Sequence, residues 1–266
     1  MDHSSHTPAL SRRGFLGKAA LAGATFQIVP SYVLGGPRAP SNMITRAVIG
    51  TGGMGMGHVT AYPKTLAVCD VDRNHLANAV KKAGGDVKGY SDWREVLERD
   101  DIDTVHVPTP PHWHALISMA AAQAGKDVYS EKPATHTIAE GKALVDTIER
   151  YGAVYQVNTW GRGRAYFMRK LVASGLLGTP LKVCLNPKYC ASGFKIKQWS
   201  GKTNLVPQAV PAELDYDMWL GPAPVKPYHP HRVHRSFRGY WDYDEGGFGD
   251  MGQHHIDPIQ YALGKD

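Results

Sequence analysis

Between residues 45 and 158, short apolar runs alternate with stretches whose apolar residues recur at helical spacing. Thr45-Arg-Ala-Val-Ile-Gly50 predicts a short buried strand, residues 54–62 a first helix, and Thr65-Leu-Ala-Val-Cys-Asp70 a second strand. The pattern continues with a helix over 73–83, a weak strand over 87–90, a short helix over 93–99 and a strand over 103–107. That strand stops at Pro108-Thr109-Pro110-Pro111. A helix over 114–124 then ends at Gly125, followed by a strand over 126–130, a helix over 138–151 and a strand over 153–157. Strands alternating with helices predict the α/β class, with a doubly wound parallel sheet of Rossmann type. Such sheets bind ligands beyond the carboxyl ends of their strands. The glycine turn at 50–55, Asp70, Thr109 and Lys132 all follow strand ends and are expected to converge there.

Past Gly161 the texture changes. A helix over 166–174 leads into the turn Gly175-Leu-Leu-Gly178 and a strand from 180 to about 189, after which Pro, Gly, aromatic residues and histidine dominate. The expected organisation is a leader and linker over 1–40, a nucleotide-binding domain over 41–160 and a partial α+β domain over 161–266. The chain stops just after a helix-like segment ending at Leu263-Gly264. Because a sheet needs a partner for each buried edge, a fragment lacking its C-terminal strands is expected.

Charge adds little. The 266 residues carry a formal +6. Arg12, Arg13, Lys18 and Arg38 against Asp2 leave 26 basic and 23 acidic residues after position 40. No basic run stands out, so nucleic acid is not an expected partner. The leader matters more: Ser11-Arg12-Arg13-Gly14-Phe15-Leu16 with Lys18 resembles a bacterial twin-arginine export signal, whose apolar region would be residues 19–34. That region, interrupted by Gln27, Pro30 and Ser31, is too short for a stable membrane span. The expected destination is the periplasm or cell envelope, and twin-arginine export suits an enzyme that takes up its cofactor before leaving the cytoplasm. The three cysteines, Cys69, Cys184 and Cys190, are an odd number and are expected to be free thiols.

The candidate chemistry starts at Gly50-Thr-Gly52-Gly-Met-Gly55, with Asp70 twenty positions beyond Gly50. Gly50 permits a tight turn, Gly52 lets the backbone approach a pyrophosphate, and Gly55 lets the helix pack close to the strand. A helix N-terminus offers unpaired N–H groups to phosphates. Asp70 is placed to accept hydrogen bonds from a ribose diol and would repel a 2′-phosphate, which favours NAD over NADP. Arg73 is the opposing feature, a nearby cation able to pair with that phosphate.

Lys132 follows a buried strand and precedes Pro133. A lysine partly desolvated there is expected to titrate nearer neutrality and exchange protons. Asp250, His254 and Asp257 stand at helical offsets of 0, +4 and +7 and share one face, while Pro258 argues for a helix beginning only there, with Asp257 as cap. An aspartate beside a histidine fixes its tautomer and suits it to act as a base. Metal binding is the competing use of His229, His231, His234, His254, His255 and Asp250. Because His229-Pro-His231-Arg-Val-His234 follows no familiar ligand spacing and is flanked by arginine, no metal site is expected. Trp160, Arg162, Trp199, Tyr240 and Trp241 are candidate pocket residues, since aromatic faces stack on sugar rings, and each fits a place in the core equally well.

Together these stretches resemble the glucose-fructose oxidoreductase/inositol dehydrogenase (Gfo/Idh/MocA) family from about residue 43 onward. The resemblance rests on Ala47-Val-Ile-Gly50-Thr-Gly52-Gly-Met-Gly55, Val68-Cys-Asp70-Val-Asp72, Thr109-Pro110-Pro111-His112-Trp-His114, Gly125-Lys-Asp-Val-Tyr-Ser-Glu131-Lys132-Pro133 and Gly249-Asp250-Met-Gly-Gln-His254-His255-Ile-Asp257. The leader and Asp215-Tyr-Asp-Met-Trp-Leu-Gly-Pro-Ala-Pro224 resemble an exported branch of it. The resemblance implies Lys132, Asp250 and His254 as catalytic residues, and Gly50, Gly52, Gly53, Met54, Gly55, Asp70, Thr109, Pro110, His114, Glu131 and Lys132 as the cofactor-binding set. His254 would take a proton from a sugar or cyclitol hydroxyl, Asp250 would orient His254, and Lys132 would polarise the oxygen. It further implies a second domain built on an open, mainly antiparallel sheet that often mediates homo-oligomers. Two alternatives accompany that NAD-dependent dehydrogenase: a glycosidase that retains NAD and works by transient oxidation and elimination, and a non-catalytic sugar-binding module.

Overall fold

The computed structural model describes residues 42–62, 64–184 and 201–265. The leader, Cys190, Trp199 and the far end of the strand expected over 180–189 lie outside the described residues. Ile44–Asp266 forms one compact unit.

Six parallel strands alternate with helices: β1 (Arg46–Ile49), α1 (Gly53–Ala61), β2 (Thr65–Cys69), α2 (Arg73–Ala83), β3 (Lys88–Tyr90), α3 (Trp93–Leu97), β4 (Thr104–Val107), α4 (Pro111–Gln123), β5 (Asp127–Glu131), α5 (Ile138–Tyr151) and β6 (Tyr155–Asn158). The strand order is β3-β2-β1-β4-β5-β6. The chain reverses its winding direction between β1 and β4, and the crevice of such a sheet opens beyond the strand ends at that point. Both faces of the sheet are covered, because successive strand residues point to opposite sides. Ala47, Ile49, Ala67, Cys69, Val105 and Val107 pack with Ile102, Trp113, Ile117 and Ala121 on one side. Val48 and Val68 pack with Val59 and Ala79 on the other.

Local signals set the boundaries. Asp72 caps α2 by accepting from the amides of Asn74 and His75. Thr137 and Glu140 close a capping box on α5, which ends at Gly152 in the left-handed conformation. Helix α4 begins at Pro111, three residues before the expected start, because proline suits the first helical position, where no N–H is needed.

The rest of the described chain forms α6 (Arg162–Ala173), α7 (Tyr216–Leu220), a 3₁₀ turn (His234–Gly239), α8 (Gly246–Met251) and α9 (Gln253–Leu263). No strand occurs among the described residues after β6, so the expected antiparallel sheet has no member there. Residues 181–184 run irregularly with Leu181 and Val183 exposed, since no described strand lies alongside to take up their backbone groups. A second core, formed by Leu214, Tyr216, Trp219, Leu220, Tyr228, Val233, Phe237 and Tyr243, lies in this part. It is bonded to the Rossmann sheet. Asp215 N donates to Val71 O and Arg73 N to Glu213 O, both within 3.0 Å. The Trp219 carbonyl accepts from Trp113 Nε1 at 3.0 Å and is 3.1 Å from His112 Nε2. Among the described residues no helix is long and apolar enough to cross a membrane.

Candidate active site

A cavity of about 760 Å³ opens at the carboxyl ends of the strands, a size typical of small-molecule sites. Gly50, Gly52, Gly53 and Met54 form one end of its wall, Asp70 and His75 flank them, and Thr109 and Pro110 follow β4. Glu131, Lys132, Trp160, Arg238, Asp250 and His254 form the other end. The turn itself has no room for side chains at two points. Gly50 has φ +92°, and a Cβ there would meet the Thr109 side chain at 2.9 Å. A Cβ on Gly55 would lie 1.8 Å from the Gly50 carbonyl oxygen, so Gly55 fixes how closely α1 approaches β1. No side chain caps the N-terminus of α1, which leaves its first amides for an anion.

Asp70 is 8 % exposed. Its Oδ2 accepts from Thr51 N at 2.7 Å and Thr51 Oγ1 at 3.0 Å, and its Oδ1 from Asp72 N at 2.9 Å. Burial pushes this carboxyl up, but His75 and the Asp72 and Thr51 amides outweigh burial and hold it below its ordinary value. Arg73 turns away from the cavity, its guanidinium donating to the Ala212 carbonyl. Asp72, His75 and His234 bring ligand-type atoms within 4.8 Å of one another at the rim. Each already has a structural partner: Asp72 caps α2, His75 faces Asp70 at 3.7 Å, and the His234 ring packs edge-on against His75.

At the other end, Lys132 Nζ donates to the Asp250 carbonyl at 2.7 Å and pairs with Asp250 Oδ1. Arg238 Nε donates to Asp250 Oδ2 at 2.6 Å. Asp250 is 2 % exposed. Burial favours its neutral form, yet the charges and hydrogen bonds of Lys132 and Arg238 prevail and hold it below the usual carboxylate range. Next to it, burial and the Asp250 charge push Asp244 up to about 7. Glu245 is pushed up to about 8, by burial first and then by Asp244 and Asp250. Asp250 is therefore the fully ionised carboxylate of this cluster at neutral pH.

His254 lies one turn further on, beyond the junction of α8 and α9 at Gly252, with its ring edge-on to Trp160. Burial and the Lys132 charge lower its pKa below the ordinary histidine value, against the pull of Asp250. It is a neutral imidazole at pH 7. The expected contact in which Asp250 orients His254 is not formed, because both Asp250 oxygens are already engaged by Lys132 and Arg238. The expected common face also divides: Asp250 and His254 border the cavity, while Asp257 is held by Arg162 on α6 at 2.8 Å. Pro258 sits inside α9 instead of opening it, packed against Gly161.

The chain matches two profiles of one family. Residues 44–159 match that of the oxidoreductase family with NAD-binding Rossmann fold, and residues 164–266 that of its C-terminal alpha/beta domain. This chain belongs to the Gfo/Idh/MocA oxidoreductase family. Levoglucosan dehydrogenase of Pseudarthrobacter phenanthrenivorans is 27 % identical over 233 residues, 82 % of this chain and 50 % of that protein. A glycosyl hydrolase family 109 protein of Streptomyces coelicolor is 30 % identical over 180 residues, 55 % of this chain and 38 % of that one. The crystal structure of an oxidoreductase domain protein from Kribbella flavida superposes with a TM-score of 0.56 at 26 % identity, covering 83 % of this chain and 54 % of that one. The chain spans half or less of the length of these two curated relatives.

Within this Gfo/Idh/MocA chain, the residues singled out from sequence separate into three groups. Gly50, Gly52, Gly53, Met54, Asp70, Thr109, Pro110, Glu131, Lys132, Asp250 and His254 all border the cavity. Gly55 lies behind the turn, and His114, 1 % exposed, stands behind the wall between the carbonyls of Thr109 and Pro133 at 2.7 and 2.6 Å. His114 thus braces the loops instead of touching a ligand. Of the aromatic candidates, Trp160 borders the cavity, whereas Tyr240 bonds His231 and Trp241 is exposed beside His136. Sequence reasoning missed Arg238, whose short 3₁₀ turn gives no periodic signal, and His58 and His106, of which His58 meets Glu131 and His106 meets His58 only through the fold.

Proposed function

We propose that this chain holds the nucleotide site and catalytic centre of an NAD-dependent oxidoreductase acting on a secondary hydroxyl of a sugar, sugar derivative or cyclitol. One observation carries the reading: Lys132, Asp250 and His254 border the same cavity as the glycine turn. A dinucleotide fits that cavity, which has a side-chain-free cradle, uncapped helix amides and a buried carboxylate where a ribose would lie. The nicotinamide supplies the hydride acceptor when bound.

The protein's own groups handle the proton and the charge. His254, neutral at pH 7, takes the hydroxyl proton as the alcohol carbon is oxidised. Lys132 donates a hydrogen bond to the same oxygen and stabilises the negative charge that develops on it. Asp250 and Arg238 fix where the Lys132 amine points. Asp250 thus positions the lysine instead of the histidine. A screen of sugars and cyclitols for reduction of NAD by the full-length protein tests the reading, and a protein that binds neither nucleotide nor sugar overturns it.

Two further expected results follow from the site. Because His254 titrates below its ordinary value, kcat/KM for alcohol oxidation should stay level from pH 8 to about 7 and fall only below about 6.5. A His254→Asn variant should lose that acid limb, read from initial rates across pH. Replacing Asp70 by serine removes the charge opposite a 2′-phosphate, and should shift the ratio of NADP to NAD affinity upward by about tenfold or more. Fluorescence titration with the two reduced nucleotides measures it.

The family 109 relative supports a second reading, glycoside cleavage with the nicotinamide regenerated in each cycle. Release of a sugar without accumulation of reduced nucleotide would select it. The resemblance of residues 11–18 to a twin-arginine signal supports export, and fusing residues 1–40 to a reporter exported only by that route tests it. The oligomeric state expected from the family resemblance is a homo-oligomer, which light scattering on the full-length protein measures.

A further inference from the structure

Glu131 ends β5 immediately before Lys132 and borders the cavity. Its two carboxylate oxygens are in different positions. Oε1 accepts from His58 Nε2 at 2.9 Å, from Asn158 Nδ2 at 2.7 Å and, more weakly, faces Trp160 Nε1 at 3.4 Å. Oε2 has no donor among the described residues. Behind Oε1 the bonds continue inward: His58 Nδ1 lies 3.1 Å from His106 Nδ1, with the two rings edge to face. His58 is 5 % exposed and His106 8 %. Tyr62 and Tyr129 pack around the pair, and Arg46 holds the His58 carbonyl at 2.9 Å.

The protonation of this chain of groups follows from its chemistry. A carboxylate only accepts, so His58 Nε2 carries the hydrogen. Burial, then Arg46 and His58, push His106 down to about 3, so it is neutral at any working pH. The Nδ1–Nδ1 bond needs one hydrogen, supplied by either ring, and His58 Nε2 donates to Glu131 in both cases. Burying two imidazoles costs desolvation that an aliphatic pair would avoid, and the polar chain returns it as a single fixed geometry.

We propose that His58 and His106 are positioning residues: by occupying Oε1 from behind, they fix the Glu131 carboxylate with Oε2 open to the cavity as acceptor for one hydroxyl of a bound ligand. The hydroxyl belongs to a polyol, either the nicotinamide ribose or the sugar-type substrate. The identity of that ligand rests on the oxidoreductase reading above, whereas the hydrogen-bond chain does not. A charged acceptor held in advance gives a short, strong bond to such a hydroxyl.

The test compares His58→Leu, which removes the donor, with His58→Gln, whose amide restores it. NADH affinity is titrated without substrate, and KM for the active sugar is measured at saturating NAD. His58→Leu is expected to raise one of these constants about tenfold, and His58→Gln to bring it back to within about threefold. A rise in NADH Kd assigns the ribose, and a rise in sugar KM with NADH Kd unchanged assigns the substrate; either supports the proposal. Where His58→Leu does not fold, His106→Leu takes its place with a smaller rise in the same constant. Unchanged constants in a folded His58→Leu protein, or no rescue by glutamine, overturn it. Long-range ¹H–¹⁵N correlation on the ligand-free protein tests the chain separately, and a His58 Nε2 without hydrogen also overturns it. A wild-type protein that shows the expected tautomers yet binds no nucleotide refutes the cofactor reading and leaves the chain standing.

Discussion

Replacing Lys132 by methionine is expected to lower kcat/KM by about a thousandfold while leaving NADH affinity within a few-fold of wild type. Methionine keeps the length of the side chain but removes the ammonium that the proposed reaction sets against the reacting oxygen, and with it the donor that would stabilise developing charge. The fold should persist, because Asp250 keeps Arg238 at 2.6 Å as its counter-charge. Steady-state rates with the sugar found by screening, together with a nucleotide titration on the same preparation, separate the two effects. Wild-type-like turnover would remove Lys132 from the chemistry.

Replacing Asp250 by alanine is expected to be more damaging, since it strikes stability and activity together. Two cations converge on this buried carboxylate. Removing it takes this carboxylate away from both cations in a low-dielectric site, and breaking a buried pair from one side costs about 3–5 kcal/mol. Thermal unfolding should move down accordingly, and the amine of Lys132 should lose its direction. Adding Lys132→Met to the Asp250→Ala protein should recover part of the stability, because one orphaned charge is gone. The sign with pH follows from the depressed folded pKa of Asp250. Its contribution is complete above the ordinary aspartate value and disappears as pH falls through the lower folded value. Wild type should therefore lose its advantage over the Asp250→Ala protein in acid. An Asp250→Ala protein as stable as wild type at neutral pH would contradict the buried triad.

The sheet was readable because β1, β2 and β4 are short, mainly apolar runs, closed by Gly50, Asp70 and Pro108 respectively. Residues 73–83 and 138–151 carried their own caps, and those helices form at the expected boundaries. The site was readable only as far as it is local. The glycine turn and Lys132 follow strand ends, and sequence alone sends them to one edge. What could not be read was set by contacts between distant segments. The pairing expected within Asp250 and His254 gave way to Lys132, 118 positions away. The link from His58 to Glu131 spans 73 positions, and no local period encodes it. The strand expected from residue 180 failed among its described residues for a related reason: apolar alternation marks a willingness to pair but does not supply the neighbour.

The Trp219 carbonyl, which accepts the Trp113 indole N–H and meets His112, has a practical consequence for dissecting the protein. A clone cut after β6 would take away the acceptor for a tryptophan that is 8 % exposed, and would uncover its ring where α4 begins. The mononucleotide-fold half is therefore not a self-sufficient cassette. Domain swaps and minimal expression clones should carry residues 213–220 along with it, since that stretch closes the wall the first half leaves open.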